Sequence, residues 1–139
     1  MWPDDDETLR RIFDSGHTWA VVGCSPNPRR DSHRVAVYLQ SIGYRVIPVR
    51  PDTEELLGER CYPDLGSIPA DTPVDVVDVF RRPALAGGHV DEAISIGARA
   101  VWLQLGVIDE AAARRAAEAG LDVAMDRCPH IEHPRLYGR

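Results

Sequence analysis

The chain has 139 residues, of which 44% are hydrophobic and 27% are charged; such a length is typical of one globular domain, which commonly spans about 100–200 residues. Its formal net charge is −6, and all sixteen basic residues are arginine because the sequence contains no lysine. The acidic charge argues against non-specific binding to nucleic acid or to a membrane surface. The absence of lysine excludes a Schiff-base lysine and the lysine of a Walker-type phosphate loop. Arginine and backbone must therefore bind any phosphate.

Cysteine usage and the amino terminus both indicate the cytoplasm. Cys24, Cys61 and Cys128 lack the paired spacing of a disulfide framework. Residues 1–7 are acidic and lack the basic and apolar regions of an export signal. No apolar run approaches the ~18 residues of a membrane span. We therefore expect a protein of a reducing cytoplasm.

The first half of the chain alternates helical and strand patterns. Apolar residues at helical spacing predict a helix over 4–14 and another over 32–42, for which Ser32 is the capping candidate. Between them, the nearly uninterrupted apolar run 18–23 is typical of a strand covered on both faces. The apolar run 44–49 predicts a second strand, and its internal proline favours a strand edge or end.

The second half of the chain continues this alternation. The valine-rich run 74–80 is the strongest strand signal in the sequence. Pro83 suits the first position of the helix that follows, and Asp109 is placed to cap a later alanine-rich helix. The remaining predicted elements are strand 100–105, helix 110–119, strand 121–125 and an irregular or briefly helical tail over 127–139.

This order of elements predicts the fold class. Strands that alternate with helices at short intervals imply right-handed crossovers and a parallel sheet. We therefore predict an α/β fold, a Rossmann-like three-layer sandwich with a five-stranded parallel sheet and helices on both faces. The simplest strand order is 3-2-1-4-5, with the switch point between the first and fourth strands. A single domain over 1–139 is expected, because no linker and no marked change in amino-acid composition divides the chain.

The segment after the first strand indicates a nucleotide-like ligand. It begins at Gly23, reads G-C-S-P-N-P and leads into a helix whose first N–H groups can bind an anion. The dinucleotide fingerprint G-x-G-x-x-G requires two further glycines, and their absence argues against NAD. Arg50 ends the second strand, where an NAD protein places an acid, and it suits a phosphate on the ribose. The alternative is an ordinary strand-to-helix turn with a local hydrogen bond from Ser25.

Further binding candidates fall at the same edge of the predicted sheet. Arg29, Arg30 and Arg34 lie in or beside the loop, where a guanidinium either binds phosphate through two hydrogen bonds or stays a solvated surface charge. The sequence F-R-R-P, which starts at Phe80, leaves the third strand at this edge and is suited to frame an adenine or its phosphates. Gln104 ends the fourth strand and either donates to a ligand or ties down its own loop.

Chemistry beyond binding is weakly indicated. No G-x-S-x-G elbow, no H-E-x-x-H motif and no motif with paired carboxylates occurs. Cys24 is the one reactive candidate, because a thiol beside a helix N-terminus can have a lowered pKa, but we favour a small, buried or unreactive residue. Cys128, His130 and His133 cluster in the tail, but a closed zinc site normally has four ligands with paired spacing. We therefore favour a structural or packing role for these residues over metal binding.

Several ordered motifs resemble a known family. The motifs are V-V-G-C-S-P-N-P-x-R-x-S, G-Y-R-V-I-P-V-R-P, L-G-E-R-C-Y-P-D-L, V-D-V-V-D-V-F-R-R-P, V-W-L-Q-L-G-V and M-D-R-C-P-H-I-E-H. From Phe13 to Leu136 the chain is similar to the small stand-alone CoA-binding domain proteins. These resemble the CoA-binding domains of the succinyl-CoA synthetase α subunit and of ADP-forming acyl-CoA synthetases. The resemblance implies a Rossmann-like domain that binds coenzyme A, in most members without an established reaction.

The resemblance also implies which residues bind the ligand. Gly23, Ser25 and Pro26 match the family's G-x-S-P loop, and Ser32 matches the serine that opens the helix. Arg50 stands where the family usually has asparagine, so it is expected either to meet the 3′-phosphate or to have changed the ligand. The predicted binding residues are Gly23, Cys24, Ser25, Pro26, Arg29, Arg30, Ser32, Arg50, Pro51, Phe80, Arg81, Arg82 and Gln104.

The leading hypothesis is a non-catalytic protein that binds coenzyme A or a short acyl-CoA and acts as a regulator or a thiol buffer. An NADP-binding oxidoreductase or redox sensor is one alternative, and an interaction module for a separate catalytic subunit is another. The expected partners are the CoA ligand and either a protein or a second copy of the chain, without nucleic acid or membrane. A mixed disulfide between CoA and Cys24 is a further hypothesis.

Overall fold

A parallel sheet with helices on both faces organises the chain in the computed structural model, which describes residues 2–138. In chain order the strands are β1 (Thr18–Val22), β2 (Arg45–Val49), β3 (Glu55–Leu56), β4 (Glu59–Arg60), β5 (Val76–Val79), β6 (Ala100–Leu103) and β7 (Asp122–Ala124). The α-helices are α1 (Asp6–Ser15), α2 (Asp31–Ser41), α3 (Pro83–Ser95), α4 (Glu110–Glu118) and α5 (Pro129–Tyr137). The short antiparallel hairpin β3–β4 lies in the connection between β2 and β5.

The order of the strands corrects one expectation. The five parallel strands lie in the order β2-β1-β5-β6-β7, which is 2-1-3-4-5 by position in the chain, whereas the sequence predicted 3-2-1-4-5. Every residue of β5 is buried, and this strand pairs with both β1 and β6 in the interior of the sheet. β2 lies at the edge, where the missing N–H of Pro48 is tolerated. The α/β Rossmann-like fold class is as predicted, and the switch point lies between β1 and β5.

Alternating side chains along each strand fill two cores, one on each face of the sheet. Trp19 and Val21 of β1 pack with buried residues of α1 and α2 on one face. Ala20 and Val22 pack with buried residues of α3 and α4 on the other. A parallel strand covered on both faces needs apolar residues at nearly every position, which explains the continuous apolar run of β1. No helix within residues 2–138 is long and apolar enough to cross a membrane.

The helix N-termini confirm one predicted cap and correct another. The carboxylate of Asp109 accepts a hydrogen bond from the Ala112 N–H at 3.0 Å and caps α4, as predicted. α2 begins at Asp31, one residue earlier than predicted, so Ser32 does not cap it. The Ser32 hydroxyl instead accepts a hydrogen bond from the Ser25 N–H at 3.0 Å. It thereby ties the preceding loop to the helix.

The carboxyl-terminal segment is helical, which is one of the two predicted alternatives. Pro129 lies in the first turn of α5, where the fixed φ and missing N–H of proline are tolerated. Gly138 ends the helix with a φ of +76°. α5 contacts α1 and α2, so the tail lies on the same face of the sheet as α2, the helix that follows the loop after β1.

Candidate functional site

The ends of three strands meet at Gly23. Its N–H donates to the Val49 carbonyl at 2.8 Å, and its φ of +82° lies in the left-handed region that favours glycine. A Cβ atom on this residue would lie 2.4 Å from the Phe80 carbonyl oxygen. Glycine is therefore required here, and it allows the loop after β1 to pass close to the ends of β2 and β5.

The loop that follows Gly23 is held by its own side chains. The Ser25 hydroxyl accepts a hydrogen bond from the Asn27 N–H at 3.0 Å, and the Asn27 side-chain oxygen accepts one from the Arg29 N–H at 3.0 Å. Nδ1 of His33, in the first turn of α2, lies 2.8 Å from the Ser25 carbonyl oxygen. These bonds fix the shape of the loop and attach it to the helix.

A cleft of about 490 Å³, here called the loop cleft, opens beside this segment. Nη1 of Arg50 lies 3.4 Å from the Cys24 carbonyl oxygen, so this guanidinium is turned toward the loop. Arg30 is the N-cap residue of α2 and is exposed, and the first N–H groups of a helix have no intrahelical partner. Guanidinium groups beside a helix N-terminus are well suited to bind a phosphate. The loop cleft is lined by Gly23, Ser25, Arg30, Asp31, Ser32, Arg50 and Phe80.

A second cleft, of about 530 Å³ and here called the main cleft, continues from the first. Asp31 and Phe80 line both clefts, so the two share a boundary. The Asp31 carboxylate pairs with the Arg34 guanidinium, which offsets its negative charge near the loop. Leu105 and Ile131 are 56% and 54% exposed and make part of the lining apolar. The main cleft is lined by Asp31, Arg34, Val35, Phe80, Arg81, Arg82, Pro83, Gln104, Leu105, Gly106, Val107, Cys128, His130 and Ile131.

Gln104 lies at the main cleft and has a buried polar atom without a hydrogen-bond partner. The residue is among those that line the cleft although it is only 5% exposed. Its Oε1 has no hydrogen-bond partner within residues 2–138. A buried acceptor without a donor costs about 1–3 kcal/mol. A rotation of the side-chain amide toward the cleft would bring this oxygen within reach of an N–H group of a ligand.

Two buried titratable groups lie close to the loop. Asp78 is paired in register with Val21 and Trp102 and is 0% exposed; neither of its oxygens has a hydrogen-bond partner in the described part of the chain. Burial raises the pKa of this carboxyl well above its usual value and so favours its neutral form. Cys24 is also fully buried, and burial raises the pKa of its thiol to about 12. The favoured interpretation of Cys24 as a buried residue is therefore confirmed, and the alternative of a lowered pKa is wrong.

Most of the predicted binding residues lie at the two clefts. Those that line the loop cleft are Gly23, Ser25, Arg30, Ser32, Arg50 and Phe80. Those that line the main cleft are Phe80, Arg81, Arg82 and Gln104. Cys24, Pro26, Arg29 and Pro51 are not among the lining residues of either cleft. The clefts therefore bring together the loop, the end of β2 and the segments that follow β5 and β6.

α5 and its N-cap residue contribute cleft residues from the tail segment, for which the sequence interpretation favoured a structural or packing role over metal binding. Cys128, His130 and Ile131 line the main cleft. The ring of His130 also stacks on Tyr38 with centroids 4.2 Å apart, and Nδ1 of His133 lies 3.1 Å from the Tyr38 hydroxyl. Within residues 2–138 no group of three or more His, Cys, Asp and Glu side chains is arranged to hold a metal ion. The proline after Cys128, which suits a helix start, was the one local signal for this placement.

Comparisons with known proteins assign the family. The YneT protein of Bacillus subtilis (strain 168), described as uncharacterized, is 37% identical over 125 residues, which are 90% of this chain and 91% of that protein. A hypothetical protein from Pyrococcus horikoshii OT3 is 42% identical, with a TM-score of 0.88 over 95% of this chain and 92% of that one. The apo dinucleotide-forming acetyl-coenzyme A synthetase 1 of Ca. Korarchaeum cryptofilum is 26% identical, with a TM-score of 0.66 over 77% of this chain and 25% of that one. The family model of the CoA binding domain matches residues 17–134, and the chain belongs to this family.

Proposed function

We propose that the chain binds coenzyme A or a short acyl-CoA, with the phosphates at the G-x-S-P loop, and acts as a non-catalytic binding or regulatory protein. The observation that carries this proposal is the junction of two unlike clefts at Asp31 and Phe80. Coenzyme A has the same two-part character, because a phosphate-rich nucleotide is joined to an uncharged arm with amide groups and a terminal thiol. One molecule of this shape would occupy both clefts.

The loop cleft suits the nucleotide end of such a ligand. Arg30 and Arg50 line it, and in a chain without lysine these guanidinium groups and the N–H groups at the start of α2 are the natural phosphate ligands. Arg81 and Arg82 follow Phe80 in the adjoining main cleft. Positive charge therefore lies on both sides of the junction, where the diphosphate would be placed.

The main cleft suits the arm. Its volume of about 530 Å³ falls in the range of about 300–1,000 Å³ that is typical of small-molecule sites. Gln104 offers an acceptor to an amide N–H of the arm, and Leu105 and Ile131 offer an exposed apolar surface to a short acyl group. The absence of a recognisable catalytic motif in the sequence favours a binding role over an enzymatic one.

Isothermal titration calorimetry of the purified chain tests the proposal directly. Under reducing conditions, we expect CoA and acetyl-CoA to give saturable heats and NADPH to give none. An absence of heat with both CoA and acetyl-CoA at millimolar concentration would overturn the proposed function. Repeating the titration with dephospho-CoA shows how much of the affinity depends on the 3′-phosphate.

Arg50→Ala sharpens this test, because Arg50 lines the loop cleft. The loss of a charge-assisted hydrogen bond to phosphate should weaken CoA binding about tenfold or more. Arg29→Ala is the matched control, since Arg29 is exposed and its side chain lies outside both clefts. If Arg50 binds the 3′-phosphate, the loss should shrink with dephospho-CoA. Equal CoA affinity in both variants would contradict a role for Arg50 in binding.

A second candidate function is NADP binding by an oxidoreductase or redox sensor. The observation that favours it is the position of Arg50, which directly follows β2 and lines the loop cleft, as a group that binds a ribose phosphate would. This candidate predicts saturable heat with NADPH and none with CoA. The same titrations therefore separate the two functions.

A further inference from the structure

Cys128 is distinguished from the other cysteines by its position in the main cleft. All three cysteines are free thiols, but only Cys128 is among the residues that line this cleft. It is 9% exposed and is the N-cap residue of α5, so its side chain leaves from the positive end of that helix dipole. The thiol is thus placed at a wall of the site proposed for the arm of CoA.

An independent observation favours an amide-bearing ligand beside this thiol. Gln104 lines the same cleft as Cys128 and is only 5% exposed. Its Oε1 has no hydrogen-bond partner among the described residues. The amide N–H groups of the CoA arm would satisfy this oxygen. Because the arm ends in a thiol, a ligand held at Gln104 carries its sulfur through the cleft that Cys128 lines.

The two other thiols lack this access. Cys24 is fully buried and lines neither cleft. Cys61 is 5% exposed, and its thiol lies 3.7 Å from the Arg50 carbonyl oxygen. Burial also raises the pKa of both thiols, which reduces the fraction of reactive thiolate. The earlier hypothesis of a CoA adduct on Cys24 is therefore replaced by one on Cys128.

We propose that Cys128 forms a mixed disulfide with coenzyme A by thiol–disulfide exchange with CoA disulfide bound in the two clefts. The Cys128 thiolate attacks one sulfur of CoA disulfide, a bond forms between Sγ and that sulfur, and the original S–S bond breaks. The departing CoA thiolate takes up one proton, which balances the proton lost by Cys128. The inference rests on the proposed function, because the nucleotide must first place the disulfide in the main cleft.

Intact-mass spectrometry of the full chain after incubation with CoA disulfide tests this reaction. We expect the mass to increase by one CoA moiety and to return to the original value after treatment with dithiothreitol. Cys128→Ser should abolish the adduct, whereas Cys24→Ser and Cys61→Ser should retain it. An adduct that persists in Cys128→Ser would overturn the proposal. Peptide mapping of the wild-type adduct identifies the modified cysteine even if Cys128→Ser fails to fold.

A second disulfide separates directed exchange from general thiol reactivity. Bis(2-hydroxyethyl) disulfide lacks the nucleotide and the arm, so the adduct with CoA disulfide should form at least tenfold faster at equal concentration. Equal rates would overturn the proposal, because Cys128 would then react without use of the clefts. Calorimetry with CoA under reducing conditions tests the proposed function separately. If CoA binds but CoA disulfide gives no adduct, only the inference about Cys128 fails.

Discussion

The two clefts differ in how they are built. The loop cleft draws most of its lining from the single segment 23–32, whose polar groups already bond to one another within the loop and the first turn of α2. The main cleft draws on segments that follow β5 and β6 and on the start of α5, and it contains the unpaired oxygen of Gln104. The loop cleft is therefore shaped by local sequence, whereas the main cleft depends on long-range packing and includes a residue with an unpaired buried oxygen.

Gly23→Ala should break the loop cleft and have the largest effect. The new Cβ would lie 2.4 Å from the Phe80 carbonyl oxygen, and alanine would have to adopt a φ of +82°. Backbone strain and overpacking together should lower the free energy of unfolding by about 3 kcal/mol. Urea denaturation followed by circular dichroism measures this change, and titration with CoA should show weaker binding in any folded fraction.

Gly58→Ala is the matched control for steric crowding. Gly58 has a similar φ of +77°, but nothing lies within 4 Å of the position that a Cβ would occupy. Only the conformational term remains, so the expected loss is about 1 kcal/mol. If the two variants lose equal stability, the close contact between Gly23 and the Phe80 carbonyl oxygen is not what makes glycine necessary at the loop cleft.

Asp78→Asn tests a buried oxygen that, unlike Oε1 of Gln104, belongs to no cleft. Because burial raises the pKa of Asp78, the folded protein retains a proton that the unfolded chain releases above its ordinary pKa of about 3.9. Rising pH therefore favours the unfolded state from that value up to the raised pKa, by at most about 1.4 kcal/mol per pH unit. Asparagine keeps the size and stays neutral, so the variant should gain stability relative to wild type as the pH rises.

Denaturation curves at several pH values between about 4 and 8 measure this difference, starting near the ordinary carboxyl pKa. Asp5→Asn is a control of opposite sign, because the hydrogen bond from the Thr8 N–H to Asp5 lowers the pKa of that exposed carboxyl. The contribution of the Asp5 carboxylate to stability is present at neutral pH and is lost as the pH falls through its lowered pKa. Parallel pH profiles for wild type and Asp78→Asn would contradict a neutral buried carboxyl.

Local patterns predict most of the fold. The apolar runs of β1 and β5 identify strands because burial on both faces leaves few polar positions, and Asp109 identifies a helix start because its cap bond spans three residues. The strand order was wrong because it depends on long-range competition for the interior of the sheet. Pro48 carried the relevant information, since its missing N–H favours the edge that β2 occupies.

The candidate site also combines residues that the local sequence predicts with residues that only long-range packing brings there. Gly23 and Arg30 belong to one contiguous segment, so the sequence predicts that they lie together at the loop cleft. Cys128 and Ile131 reach the main cleft only because α5 packs beside α2, a contact that no local spacing encodes. The burial of Cys24 agrees with the interpretation favoured from the sequence, although the same loop sequence is also compatible with an exposed thiol.

Gln104→Leu should have the smallest effect and should separate ligand binding from stability. Leucine removes the unpaired Oε1, so the folded protein should become more stable by about 1 kcal/mol while CoA loses a hydrogen bond and binds about tenfold more weakly. Adenosine 3′,5′-bisphosphate lacks the arm and should bind the wild-type protein and Gln104→Leu equally.

Gln40→Leu is the matched control, since it removes a hydrogen bond from Nε2 to the Leu57 carbonyl at 2.9 Å, outside both clefts. That variant should lose stability and keep its CoA affinity, whereas weaker binding of both ligands by Gln104→Leu would place Gln104 with the phosphates instead of the arm.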